Sequence, residues 1–138
     1  MLVLPSEDPS LNAGLGSLLD AWAPVHVVDP HGGSGNAAAR TCLAINNLAP
    51  EAPLSIVTFG ESALLLPAIA LSQRTAHRRV AEYLLIDPAL PPVTESWPDA
   101  RVTVVTDDAD SPASLQGRLR GWVVLDHASL GQWQPDEA

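Results

Sequence analysis

Apolar positions along the chain fall into two rhythms. Short runs rich in Val, Ile and Leu occur at Leu2–Leu4, Val25–Val28, Leu54–Phe59, Tyr83–Ile86, Val102–Val105 and Trp122–Leu125. Runs this short and this continuous suit strands buried on both faces of a parallel sheet. Between them, apolar residues recur at three and four positions, as in Leu11, Leu15, Leu18, Leu19 and Trp22, which places them on one helix face. Ala38–Leu48 and Leu64–Val80 show the same spacing, and Ser111–Leu119 is a shorter case. Strand and helix alternating in short units predict an α/β fold: a three-layer, six-stranded, mostly parallel sheet with helices on both faces and right-handed crossovers. One connection differs. Residues 88–100 carry Pro88, Pro91, Pro92 and Pro98, so a loop is expected there.

A chain of 138 residues is the length of one domain. Residues 1–133 are read as that domain and 134–138 as a frayed acidic tail. With 46% hydrophobic and 17% charged residues, the chain has the composition of a folded globule. The formal charge of -9, with seven basic residues that are all Arg, argues against a nucleic-acid partner, which needs clustered positive charge. No Lys is present, which excludes Schiff-base chemistry. Cys42 is the single cysteine, so neither an internal disulfide nor a cysteine-rich zinc site is available. The first residues lack a basic segment and a long apolar run, and the apolar stretch Ala63–Leu71 is far short of a bilayer span. The expectation is a soluble, cytoplasmic protein with no membrane partner.

Candidate chemistry centres on Ser55–Leu64, where a buried strand ends in Gly60-Glu61-Ser62-Ala63 and runs into an apolar helix. A serine here would sit on a sharp strand-to-helix turn above the positive end of a helix dipole. Gly60 and Ala63 make the turn sterically possible, and Pro67 falls where a missing N–H is harmless. An ordinary helix N-cap is the plain alternative for Ser62. Downstream, Asp107, Asp108 and Asp110 follow one strand, and Asp126-His127 follows the last. The aspartate group lacks the glycine and distal glutamate of a calcium loop, and the reading carries no metal and no cofactor.

These segments resemble the α/β-hydrolase fold superfamily. Gly60 and Ser62 match its Gly-x-Ser-x-Gly nucleophile elbow, with Leu64 in place of the second glycine. Asp29-Pro30-His31-Gly32-Gly33-Ser34-Gly35 resembles the family's Asp-x-x-Gly-x-Gly turn, and Leu84–Ala89 the strand after the nucleophile helix. The resemblance runs from the family's third strand to its last. It implies a minimal core without the two first strands or a cap domain, and a triad in the order serine, acid, histidine. Ser62 would be the nucleophile, His127 the base, and Asp110 the acid, with Asp107 and Asp108 as open alternatives and Asp87 a weaker one. The backbone N–H of Ala63 would donate to the oxyanion, joined by that of Ser6 or Glu7. Glu61, Trp97 and Trp133 would line the substrate groove. His31-Gly32-Gly33 is read as a plain turn, and Arg74, His77, Arg78 and Arg79 as charges complementing a helix end.

Without a cap, the site would be a shallow groove, completed by a second subunit in a homodimer or by the substrate's own carrier. The implied function is serine acyl transfer. An ester or thioester, such as an acyl group on a carrier protein of a natural-product pathway, would pass through an acyl-Ser62 to water, an amine or a hydroxyl. A simple carboxylesterase is a variant of that reading. A non-catalytic binding or scaffold module on the same fold is the alternative.

Overall fold

A computed structural model describes residues 1–12, 14–21, 24–31, 35–130 and 133. The expected tail at 134–138, Trp22, and Gly32, Gly33 and Ser34 lie outside the described residues. Six strands form one sheet: β1 (Leu2–Leu4), β2 (His26–Val27), β3 (Leu54–Phe59), β4 (Val80–Ile86), β5 (Arg101–Val105) and β6 (Val123–Leu125). Their order is β2-β1-β3-β4-β5-β6 and every neighbouring pair is parallel. The helices are α1 (Leu15–Ala21), α2 (Ala37–Leu48), α3 (Leu66–Thr75), α4 (Pro112–Leu119) and the single turn α5 (His127–Leu130).

Alternation along the strands divides the core in two. Leu2, Leu4, Ile56, Leu85, Val102 and Val104 point to one face, where Ile45, Leu66, Ile69 and Ala113 from α2, α3 and α4 pack on them. Val3, Val57, Phe59, Leu84, Ile86 and Val105 point to the other, against Leu15, Leu130 and Trp133. This is the three-layer arrangement that continuous apolar strands require, since neither face can be left to water. Helix boundaries have local causes. Asn36 caps α2, its Oδ1 accepting from the N–H groups of Ala38 and Ala39. Ser111 caps α4 by accepting from Ser114, with Pro112 in the first turn.

Three expectations shift. The helix expected over 64–80 is shorter, because residues 60–65 form a 3-10 turn and β4 already begins at Val80. That strand start was hidden by Glu82, a charged residue that the interior accepts because Ser55 donates to it at 3.1 Å and Arg101 pairs with it. Trp97 is not a groove residue. It is fully buried, edge-on to Tyr83 and Trp122 with ring centroids 5.9 and 5.4 Å away. It lies in the proline-rich connection from β4 to β5, which plugs the core where a crossover helix would otherwise sit. Trp133 is also buried, against the second core face. Among the described residues no helix is long and apolar enough to cross a membrane.

Candidate functional site

In a parallel sheet all strands end on the same side. The chain leaves β1 toward one edge, then crosses back to β3 and proceeds to the other edge, so the topology reverses between β1 and β3. Crevices outside the carboxyl ends of strands at such a reversal are where open α/β sheets hold ligands. Residues after β1, β2 and β3 meet there, and those after β4, β5 and β6 line the rest of the rim.

At the reversal the space is occupied by the protein's own groups. Gly60 turns the chain with φ +59°, and a Cβ there would lie 2.8 Å from Leu11 Cδ1 and 2.9 Å from Ser6 Oγ. That close approach presses the turn after β3 onto the loop after β1. Ser62 is 1% exposed, and its hydroxyl donates to the Pro5 carbonyl at 2.6 Å. Glu61 accepts at 2.6 Å from the Ser6 hydroxyl on one oxygen and at 2.6 Å from the Glu7 N–H on the other. Burial pushes the Glu61 carboxyl upward, but these two hydrogen bonds and the nearby His31 outweigh it and hold it below its ordinary value. Asn12 completes the knot, accepting from the Ser6 N–H at 2.8 Å and donating to the Ser6 carbonyl at 2.9 Å.

His31 reaches the same point from the turn after β2. Its Nε2 lies 3.1 Å from Glu61 Oε1, 3.2 Å from the Pro5 carbonyl and 3.5 Å from Ser62 Oγ. A carbonyl and a carboxylate oxygen can only accept, so the tautomer that satisfies both carries its proton on this nitrogen. A histidine that serves a serine as base needs a lone pair on the nitrogen facing it and its carboxylate partner on the other nitrogen. Here serine and carboxylate share one nitrogen.

The residues expected as a triad stand apart. Ser62 faces β1, and no hydrogen bond joins it to His127 among the described residues. His127 Nε2 is 2.8 Å from Asp87 Oδ2, so the carboxylate beside this histidine is Asp87. Asp107 anchors the His127 main chain instead, accepting from its N–H at 2.9 Å. Asp110 stays with Asp108, donating its backbone N–H to Oδ1 at 3.0 Å. Asp87 adopts φ +45°, a left-handed conformation that costs a non-glycine residue energy and is retained where other contacts impose it.

The expected oxyanion donors after β1 are both used internally, Ser6 by Asn12 and Glu7 by Glu61, so neither N–H is free for a substrate oxygen. Ala63 is buried within the 3-10 turn, and Leu64, in the second-glycine position, is 50% exposed. Glu61 belongs to the knot rather than to an open groove. Beside Asp87, however, a solvent-open cleft of about 470 Å³ lies between the ends of β4 and β5 and α4. Pro88, Ala89, Leu90, Thr106, Gln116 and Arg120 are among its lining. Arg120 is held by donating to the Pro91 carbonyl at 3.2 Å and by lying over the Trp122 ring.

His31, expected in a plain turn, lies beside Ser62, and Asp87, expected as a weaker acid, pairs with His127. The signal for both was topological: Asp87 directly follows β4 and His31 lies in the turn after β2, and every strand end in a parallel sheet reaches the same rim. Comparisons with protein families, with curated proteins and with solved structures found no match to this chain.

Proposed function

We propose that this chain is a binding module on an α/β-hydrolase-like frame, taking a small molecule at the rim of its sheet without using Ser62 as a nucleophile. The observation that carries this reading is the buried Ser62 hydroxyl, committed to the Pro5 carbonyl at 2.6 Å, with His31 Nε2 lying nearer to that carbonyl and to Glu61 than to Ser62. Attack on an acyl carbon needs a serine that faces the substrate and a base that accepts its proton. The internal use of the Ser6 and Glu7 N–H groups adds support, since a developing oxyanion would find its donors taken. The cleft beside Asp87 has the volume of a small-ligand site, with apolar walls from Pro88, Ala89 and Leu90 and hydrogen-bonding groups from Thr106, Gln116 and Arg120. A compact molecule, mainly apolar with one polar end, fits that lining.

The deciding experiment is intact-mass analysis after exposure to a fluorophosphonate, with Ser62→Ala as control. The expected result is a folded wild-type protein that gains no adduct. An adduct on the wild type that Ser62→Ala abolishes would overturn the reading.

That second outcome has its own support in the Asp87–His127 pair, an acid and a histidine joined at the carboxyl rim. In that case serine acyl transfer is the function. Ser62 would rotate off Pro5, His127 would take its proton, and Asp87 rather than Asp110 would hold the imidazole.

A further inference from the structure

The knot at the topological reversal gathers donors suited to a cation. Glu7 from the loop after β1, His31 from the turn after β2 and Glu61 from the turn after β3 each offer one ligating atom, and these atoms lie within 4.8 Å of one another. We propose that Glu7, His31 and Glu61 form a binding site for one divalent transition-metal ion, with zinc the best match to the donor set.

Spacing is the first argument. Two ligands on a tetrahedral zinc with bonds of about 2.1 Å lie about 3.4 Å apart. His31 Nε2 and Glu61 Oε1 are 3.1 Å apart, so an ion can replace the proton between them with a displacement of a few tenths of an ångström. The surroundings of the ligands are the second. Carboxylates that hold metals are themselves oriented by hydrogen bonds, and Glu61 is fixed on both oxygens by Ser6 and Glu7. Donor chemistry is the third. One imidazole with two carboxylates suits zinc, whereas calcium and magnesium demand a fuller shell of oxygens. Glu7 is exposed, which leaves the solvent side of the ion for water. The cluster draws on three loops that only the parallel topology brings together, and it stands whether or not Ser62 reacts.

The test is calorimetric titration of the chelator-treated full chain with zinc chloride, run beside Glu7→Gln, His31→Ala and His127→Ala. Among the described residues no hydrogen bond or ion pair uses the Glu7 carboxylate, so Glu7→Gln leaves the fold untouched. The expected result is saturable one-to-one binding, weakened by at least about tenfold in Glu7→Gln and in His31→Ala and unchanged in His127→Ala. No saturable binding to the wild type, binding left intact by Glu7→Gln or by His31→Ala, or equal loss in His127→Ala would each overturn the site.

Discussion

The two halves of the sheet's carboxyl rim use similar residues to opposite ends. Around β1 and β3 a serine, a glutamate and a histidine are tied into their neighbours, and Gly60 lets the two loops close on each other. Around β4 and β5 an aspartate and a histidine pair beside an open cleft, with a third or so of each side chain exposed. A hydroxyl or carboxylate is therefore not chemically available merely because it follows a strand. What decides is whether the adjacent loop supplies enough backbone partners to satisfy it. The loop after β1 supplies the Pro5 carbonyl, which holds the Ser62 hydroxyl, and the Glu7 N–H, which orients the Glu61 carboxylate.

Gly60→Ala should disturb this contrast most. A methyl group meets Ser6 and Leu11 at under 3 Å and a positive φ together, and the cost should be about 2–4 kcal/mol in urea denaturation. Full stability would mean that the closed half is not tightly packed. Ser62→Ala removes a buried hydroxyl donor but leaves the Pro5 carbonyl near His31, so a loss of about 1–2 kcal/mol is expected by the same measurement. A stabilised variant would show that Ser62 is held against its preference, as an active nucleophile often is.

Tyr83, in the core beneath both halves, gives a third test. Burial, then the hydrogen bond to Asp99 at 2.5 Å and that residue's charge, push its phenol well above the ordinary value. The folded state therefore holds the proton more tightly than the unfolded chain. Its contribution is complete below about pH 10 and is lost as the pH rises beyond, because the unfolded tyrosine ionises first. Tyr83→Phe should cost about 0.5–1.5 kcal/mol at neutral pH and flatten the alkaline decline of stability. An unchanged slope would place the alkaline sensitivity elsewhere. The smallest effect is expected for His127→Ala, which removes a partly exposed contact worth about 0–1 kcal/mol. A larger loss would make the open half as structural as the closed one.

The fold was readable from the chain because it rests on repetition. All six strands were visible as apolar runs, and the start of β4 escaped that reading because Glu82, buried with Ser55 and Arg101 as partners, interrupts the run. Pro67 marked a helix start for the same local reason that the structure shows. The site was less legible. Ser62, Glu61 and His127 were identified as residues of interest, but their partners depend on which strands lie side by side. His31 meets Ser62 because β1 sits between β2 and β3, and no spacing along the chain states that. Trp97 misled for a related reason: proline-rich surroundings suggest surface, yet this loop carries its tryptophan inward.

The placement of β1 bears on how the chain assembles. Leu2 pairs with His26 on one side and Ile56 on the other, so β1 occupies the interior of the sheet although β3 follows it by some fifty residues. During synthesis it must wait for β3 to emerge before its second flank is covered, and closing so long a loop is slow. Until then an apolar strand stands with open hydrogen-bonding edges, the condition that invites pairing with another chain. Refolding yield should therefore fall with protein concentration more steeply than native stability alone would suggest.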